Sequence, residues 1–222
     1  MKFEKGVSNM ATTLAERMSK FSGSPTSALI AKVAELKQQG KDIISLNVGE
    51  PDFGTPDYIK VAGMKAIADN FTKYTPGNGI LELRQEIVKK LKQDNGIEYG
   101  LNEITTSVGA KQAIASAMMV IAGPGDEVIL PIPCWVSYTE MIRLAGATPV
   151  FVPVRPDNYE LDLKAIEDAI TPRTKAIIIC TPNNPTGAVY SEESLRKLAE
   201  LAVKHDFFIV ADEIYEKLVY DG

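Results

Sequence analysis

From residue 103 to residue 212 the sequence alternates five short apolar runs with four segments of helical periodicity, and few architectures accommodate that pattern. The apolar runs are "EITTSVG" (103–109), "DEVILP" (126–131), "TPVFVPV" (148–154), "KAIIIC" (175–180) and "FFIVAD" (207–212). Between them lie "AKQAIASAMMVIA", "WVSYTEMIRLAG", "LDLKAIEDAI" and "SEESLRKLAELAVKH". Strands that are apolar along their whole length must be covered on both faces. Alternation with helices of ten or more residues therefore predicts an α/β fold with a mostly parallel, buried sheet. Ser191, followed by Glu192 and Glu193, suits a helix start.

Ahead of this region the pattern is looser. "SALIAKVAELKQQG" reads as a helix stopped by Gly40, and "DIISLNVGEPDFGTP" as a short strand entering a Gly- and Pro-rich loop. "PDYIKVAGMKAIADNF" reads as a helix and "YTPGNG" as a turn. "ILELRQEIVKKLKQDNG" is an amphipathic helix with Leu81, Ile87, Val88 and Leu91 inward.

Composition narrows the function classes. The 222 residues are 45% hydrophobic and 24% charged, with a net charge of -5 and the two signs interspersed. No basic stripe marks a nucleic-acid or membrane surface, so neither partner is expected. No run approaches the roughly 18 apolar residues of a membrane helix, and the N-terminus lacks the apolar core of a signal peptide. Cys134 and Cys180 stand at no metal-ligand spacing and fit a reducing cytoplasm. His205, the sole histidine, lies at a helix end, where a cation suits the dipole, and takes no catalytic role.

In open α/β sheets, ligands bind beyond the carboxyl ends of the strands. Four loops lie there: "GAK" after 104–108, "PIPCW" after 127–131, "TPNNPTG" after 175–180, and "DEIY" after 207–211. The amides of Gly109, Ala110 and Lys111 open a helix, where free N–H groups and the dipole favour a phosphate. Trp135, the only tryptophan, offers a flat stacking face. Asp212 ends an apolar run, so its carboxylate needs a pairing group, such as a cationic ring nitrogen. Tyr215 follows by about one helical turn. The two amides of "TPNNPTG", held between Pro182 and Pro185, read as ligands and not as packing, suited to a phenolate oxygen or a carboxylate. Phosphate, ring stack, acidic partner and phenolate donors together describe pyridoxal 5'-phosphate.

The ordered pieces "NVGEPDFGTP", "YTPGNGILELR", "SVGAKQAI", "GDEVILPIPCW", "TPNNPTGAVY" and "VADEIYEKLVY" resemble the class I/II aminotransferases of the aspartate aminotransferase superfamily, over roughly residues 20 to 220. The resemblance implies the fold type I architecture of pyridoxal-phosphate enzymes. It implies an N-terminal arm with part of a small domain over residues 1–45, and the N-terminal part of the cofactor-binding large domain over 46–222. It also implies a role for each site residue. Gly109, Ala110 and Lys111 form the phosphate cup, and Trp135 stacks on the pyridine ring. Asn184 donates to the 3'-oxygen and contacts the substrate carboxylate, with Tyr215 as a second donor. Asp212 pairs the ring nitrogen. Gly49 allows close approach to the substrate carboxylate, and Tyr74 crosses a homodimer interface to the partner's phosphate. Lys111 and Thr26 suit a dicarboxylic side chain, which points to aspartate, or to another acidic or aromatic amino acid, exchanging its amino group with a 2-oxo acid.

The resemblance further implies that the Schiff-base lysine lies downstream of Gly222, in a serine-and-lysine motif. The chain alone is therefore expected not to transaminate. A lyase, decarboxylase or synthase on the same scaffold shares most of these residues. A non-catalytic cofactor-binding sensor of a transcription regulator would need a DNA-binding segment that is not visible here. A dinucleotide-binding protein would need G-x-G-x-x-G between a strand and its helix, and "GPGDEV" and "GNGILE" do not supply it.

Overall fold

The computed structural model describes residues 18–19, 25–46, 49, 51 and 53–220. They form two compact units, one over residues 25–108 and the other over residues 109–220 together with 18–19.

The first unit contains α1 (Pro25–Gln38), α2 (Asp57–Ala68), α3 (Leu81–Asn95) and a 3-10 turn at Leu101–Glu103. In α3, Ile87, Val88 and Leu91 are half-buried as the periodicity predicts, whereas Leu81, at its first position, is exposed. The turn "YTPGNG" is fixed from several sides. Gly79 has φ +99°, and a Cβ there would overlap the Thr106 hydroxyl and come within 2.8 Å of its methyl carbon. Only glycine fits both the backbone and the space. Arg84 donates from Nε to the Gly79 carbonyl (3.3 Å) and from its terminal nitrogen to the Leu101 carbonyl (2.9 Å).

Two expected strands are absent. Residues 42–46 form no ladder, and Ile44 and Leu46 are exposed. Residues 104–108 form none either. The amide of Thr106 donates to the Asn78 carbonyl at 3.1 Å, so the turn uses a group that a ladder would need. A strand needs a partner for its amides and carbonyls, and neither segment has one among the described residues.

The second unit is the predicted α/β sandwich. In chain order it comprises α4 (Gly109–Ile121), β1 (Glu127–Ile132), α5 (Ser137–Ala145), β2 (Thr148–Pro153), α6 (Leu163–Ala169), β3 (Thr174–Cys180), α7 (Glu192–His205) and β4 (Phe208–Asp212). The strands are parallel in the order β2-β1-β3-β4. Side chains alternate between two cores, as the two-residue period of a strand requires. Val128, Leu130, Ala176, Ile178 and Cys180 pack with α4 and α5 through Ile114, Met118, Tyr138, Met141 and Ile142. Ile129, Ile177 and Ile179 pack with α6 and α7 through Ile166, Leu198 and Ala202. Coverage of both faces explains why β1 and β3 carry continuous apolar runs. The start of α7 follows its sequence signature, since the Ser191 hydroxyl accepts the Ser194 amide at 3.2 Å. No helix among the described residues is long and apolar enough to cross a membrane.

At the amino end of the sheet, Glu127 is buried and must be held by donors. Thr171 Oγ1 donates to its Oε2 at 2.6 Å and Arg173 Nε to its Oε1 at 3.0 Å. These hydrogen bonds, Thr171 first and Arg173 next, hold the carboxyl below the usual glutamate value of 4.5. A depressed carboxyl contributes stability above its unfolded value and loses it as pH falls through the folded one. Thr171→Val is therefore expected to cost about 1–3 kcal/mol at pH 7. In urea titrations the difference from the wild-type chain should shrink as pH falls below 4.5.

Candidate functional site at the carboxyl edge of the sheet

Chain order and spatial order together locate a crevice. The chain passes from β1 to β2 on one side, then returns to place β3 and β4 on the other. The strand order therefore reverses between β1 and β3, and a crevice opens beyond their carboxyl ends. The loop after β1 carries Cys134 and Trp135, that after β3 carries Asn183 and Asn184, and that after β4 carries Tyr215.

Asp212, the last residue of β4, is buried. Its Oδ2 accepts the Tyr138 hydroxyl at 2.7 Å and its Oδ1 accepts the Ile214 amide at 3.1 Å. Each oxygen keeps acceptor capacity beyond these two bonds. Burial, followed by the hydrogen bond to Asp212, pushes the Tyr138 phenol far above the usual tyrosine range. It thus stays a neutral donor to Asp212. The Tyr138 ring stands edge-on to Trp135, with centroids 5.3 Å apart and planes at 89°. The Lys111 ammonium lies 5.0 Å from the centre of the half-buried Trp135 ring, within cation–π range. Lys111, Trp135, Tyr138 and Asp212 thus form one contiguous chain of side chains drawn from α4, the β1–α5 loop, α5 and β4.

The two asparagines divide their labour, and this corrects the expectation that both amides serve as ligands. Asn183 is buried and spent inside the loop. Its oxygen accepts the Thr186 hydroxyl (3.1 Å) and amide (3.4 Å), and its nitrogen donates to the Tyr190 hydroxyl at 3.4 Å. The Asn183 amide N–H also donates to the Ala188 carbonyl at 2.9 Å. Asn183 is therefore the packing piece, because a buried amide must find partners within the loop. Asn184 is half-buried, and its nitrogen donates to the Tyr215 hydroxyl at 3.3 Å. That bond uses one of two amide hydrogens and leaves the phenolic hydrogen for another acceptor. The Asn184–Tyr215 pair therefore retains two donors.

Gly109 opens α4 with φ +79°, while a Cβ there would meet nothing within 4 Å. Backbone conformation, not space, calls for glycine at this helix start. The first amides of α4, including those of Ala110 and Lys111, lack partners within the helix. The remaining expected site residues belong to the other unit. Tyr74 is fully exposed in its turn, and Gly49 is exposed with open space where a Cβ would stand. Thr26 lies in α1 with its side chain outside the described residues.

Tyr138 went unread in the sequence. Its only signal was its position three residues after Trp135 on a helix whose other apolar residues face the core. Neither cysteine is set up as a nucleophile. Burial and the neighbouring Cys180 raise the Cys134 thiol to about 11, and burial raises Cys180 as well.

The chemistry of this donor set fits a pyridoxal phosphate ring. A buried carboxylate with spare lone pairs, a flat indole face and two free donors on one edge match its nitrogen, its π-face and its 3'-oxygen.

Comparison with known proteins agrees with this geometry. The family model "Aminotransferase class I and II" matches residues 41–222. A probable aspartate/prephenate aminotransferase of Thermus aquaticus is 48% identical over 94% of this chain and 55% of its own length. An aspartate aminotransferase of Bacillus sp. (strain YM-2) is 46% identical over 96% of this chain, again 55% of its own length. Among solved structures, the Thermus thermophilus aspartate aminotransferase with maleate superposes with a TM-score of 0.92 at 47% identity, over 95% of this chain and 56% of that one. An alanine aminotransferase from Pyrococcus furiosus reaches 0.90 at 30% identity, over 95% of this chain and 54% of that one. The fold is thus fold type I of the pyridoxal-phosphate-dependent transferases, and the chain spans about half the length of the curated relatives it matches.

The split between the asparagines is measurable. Asn183→Ala should cost about 1–3 kcal/mol in chemical denaturation, because it strands buried partners. Asn184→Ala should stay within about 0.5 kcal/mol of the wild-type chain, as expected for a substitution outside the core.

Proposed function

The chain belongs to the class I and II aminotransferase family, and on that premise we propose that it forms the cofactor-gripping portion of a pyridoxal 5'-phosphate-dependent aminotransferase. The observation that carries this reading is Asp212, a buried carboxylate held by two donors and still able to accept a third, next to the Trp135–Tyr138 pair. Bound there, the cofactor supplies an electron sink that stabilises a carbanion at the substrate α-carbon. The residues of this chain provide the binding and the electrostatics. Asp212 holds a proton on the ring nitrogen, and Trp135 covers a ring face. Asn184 and Tyr215 donate to the 3'-oxygen. The amides of Gly109, Ala110 and Lys111 take the phosphate, with Tyr74 reaching it across a homodimer. Gly49 and Asn184 serve the substrate carboxylate.

Substrate choice rests on Lys111. Its ammonium lies over the Trp135 ring, and a cation beside that ring suits a distal carboxylate. The neighbouring Thermus thermophilus structure, solved with the four-carbon dicarboxylate maleate, supports the same class. The related alanine aminotransferase shows that the fold alone does not choose. We assign aspartate as amino donor, a 2-oxo acid as acceptor and Thr26 as a second contact for the dicarboxylate. Free thiols at Cys134 and Cys180 support a reducing, cytoplasmic setting.

The test is amino transfer from aspartate to 2-oxoglutarate by the protein that carries this sequence. Lys111→Ala should raise the KM for aspartate by roughly tenfold or more, the value of one charge-assisted hydrogen bond. It should leave the KM for a neutral amino acid nearly unchanged. An unaltered aspartate KM removes the dicarboxylate assignment, and failure with every L-amino acid removes the aminotransferase reading.

A further inference from the structure

We infer that Pro149 and Pro153 close the outer edge of β2 to strand addition, so that neither a second copy nor an extended peptide can lengthen the sheet on that side. This holds whether or not the cofactor role proposed above does.

β2 stands at one end of the strand order and pairs only with β1 among the described strands. In a parallel pair, every second residue of a strand turns its N–H and C=O toward one neighbour, and the residues between turn theirs the other way. Two bonds fix which set of β2 faces inward. The Thr148 amide donates to the Asp126 carbonyl at 2.9 Å, and the Val154 amide donates to the Ile132 carbonyl at 3.0 Å. The register runs unbroken from Glu127↔Thr148 to Ile132↔Pro153. Val150 and Val152 therefore also face β1, and Pro149, Phe151 and Pro153 face outward.

Three ordinary residues at those positions would offer three donors to an incoming strand. Proline has no N–H. The Phe151 amide is thus the one outward donor of β2, with a pyrrolidine ring two residues away on each side. A ladder, parallel or antiparallel, needs a donor at every second residue of the edge. Each ring also stands where a partner's carbonyl would have to come.

The placement separates this role from simple stiffening. Proline at position 150 or 152 would break a bond to β1, whereas both prolines of β2 fall in the outward set and cost the sheet nothing. Stiffening alone would not require that alternation. The edge also needs closing. Val150, Phe151 and Val152 are strong strand formers without charge, and the Phe151 side chain is exposed, a combination that invites edge-to-edge pairing. β4, at the other end of the strand order, carries no proline from Phe208 to Asp212, so the closure is particular to β2.

The double variant Pro149→Thr/Pro153→Thr restores both outward donors with a strand-forming residue. In the 222-residue chain, exchange of the Phe151 amide is followed by NMR as chain concentration rises, and again with an added alternating Thr–Val peptide as a strand probe. In the wild-type chain this amide should exchange as an unpaired one and respond to neither. In the double variant its exchange should slow roughly tenfold or more under both conditions, the value of one or two ladder bonds. Association at β4 would affect both chains alike, so the difference belongs to β2. A wild-type Phe151 amide that slows with concentration or with peptide overturns the inference, and so does a double variant that behaves as the wild type. Should the double variant fail to fold or precipitate, the single variants Pro149→Thr and Pro153→Thr decide. Each restores one donor beside Phe151 and should slow its exchange with the peptide, and two single variants indistinguishable from the wild type refute the role of the prolines.

Discussion

A carboxylate at the end of an apolar strand has to be held, and the site described here is organised around holding one. Asp212 terminates β4 at the carboxyl edge of a sheet whose two faces are covered by helices. A charge in that position costs several kcal/mol unless donors reach it. Those donors come from α5 and from the turn after β4, so the position of Asp212 depends on how α5 packs. α5 in turn docks on β1 and β3 through Tyr138, Met141 and Ile142. The core and the site are therefore one construction.

The topology explains why the remaining functional groups converge. Parallel strands send every carboxyl end to the same edge, and the reversal of strand order between β1 and β3 opens a crevice there. The loop after β3 is stiffened from within, by Asn183 bonded to Thr186 and Tyr190, and by the Tyr190 amide donating to Thr181 Oγ1 at 2.9 Å. Because Asn183 consumes its own polar groups, Asn184 is presented on a rigid mount. A site whose first residues are held by a second layer of hydrogen bonds keeps its geometry before any ligand arrives.

The sandwich was legible in the sequence because strands buried on both faces leave an unbroken apolar signature, as in "KAIIIC", and helices leave a 3.6-residue one. Asp212, Asn184, Trp135 and Lys111 were legible for the opposite reason, being polar or aromatic side chains where an apolar pattern stops. What escaped depended on long-range pairing. Residues 42–46 and 104–108 have strand-like composition, but no composition reveals whether a partner strand lies beside them, and the Thr106 amide went to the turn at Asn78 instead. Asn183 and Asn184 are chemically identical in the sequence, and only folding decides which one the loop consumes. Tyr138 went unread, because its hydroxyl acquires meaning only when Asp212 is brought to it from 74 residues away.

The central claim is that Asp212 stands ready to pair a protonated pyridine nitrogen, and the most direct measurement is the nitrogen-15 spectrum of ring-labelled pyridoxamine 5'-phosphate bound to the chain. The account predicts a pyridinium-type shift that persists well above the pH at which the free ring loses its proton, and that Asp212→Ala abolishes without removing the ligand's phosphate contacts. A neutral-ring shift in the wild-type chain, or a pyridinium shift indifferent to Asp212→Ala, would contradict it.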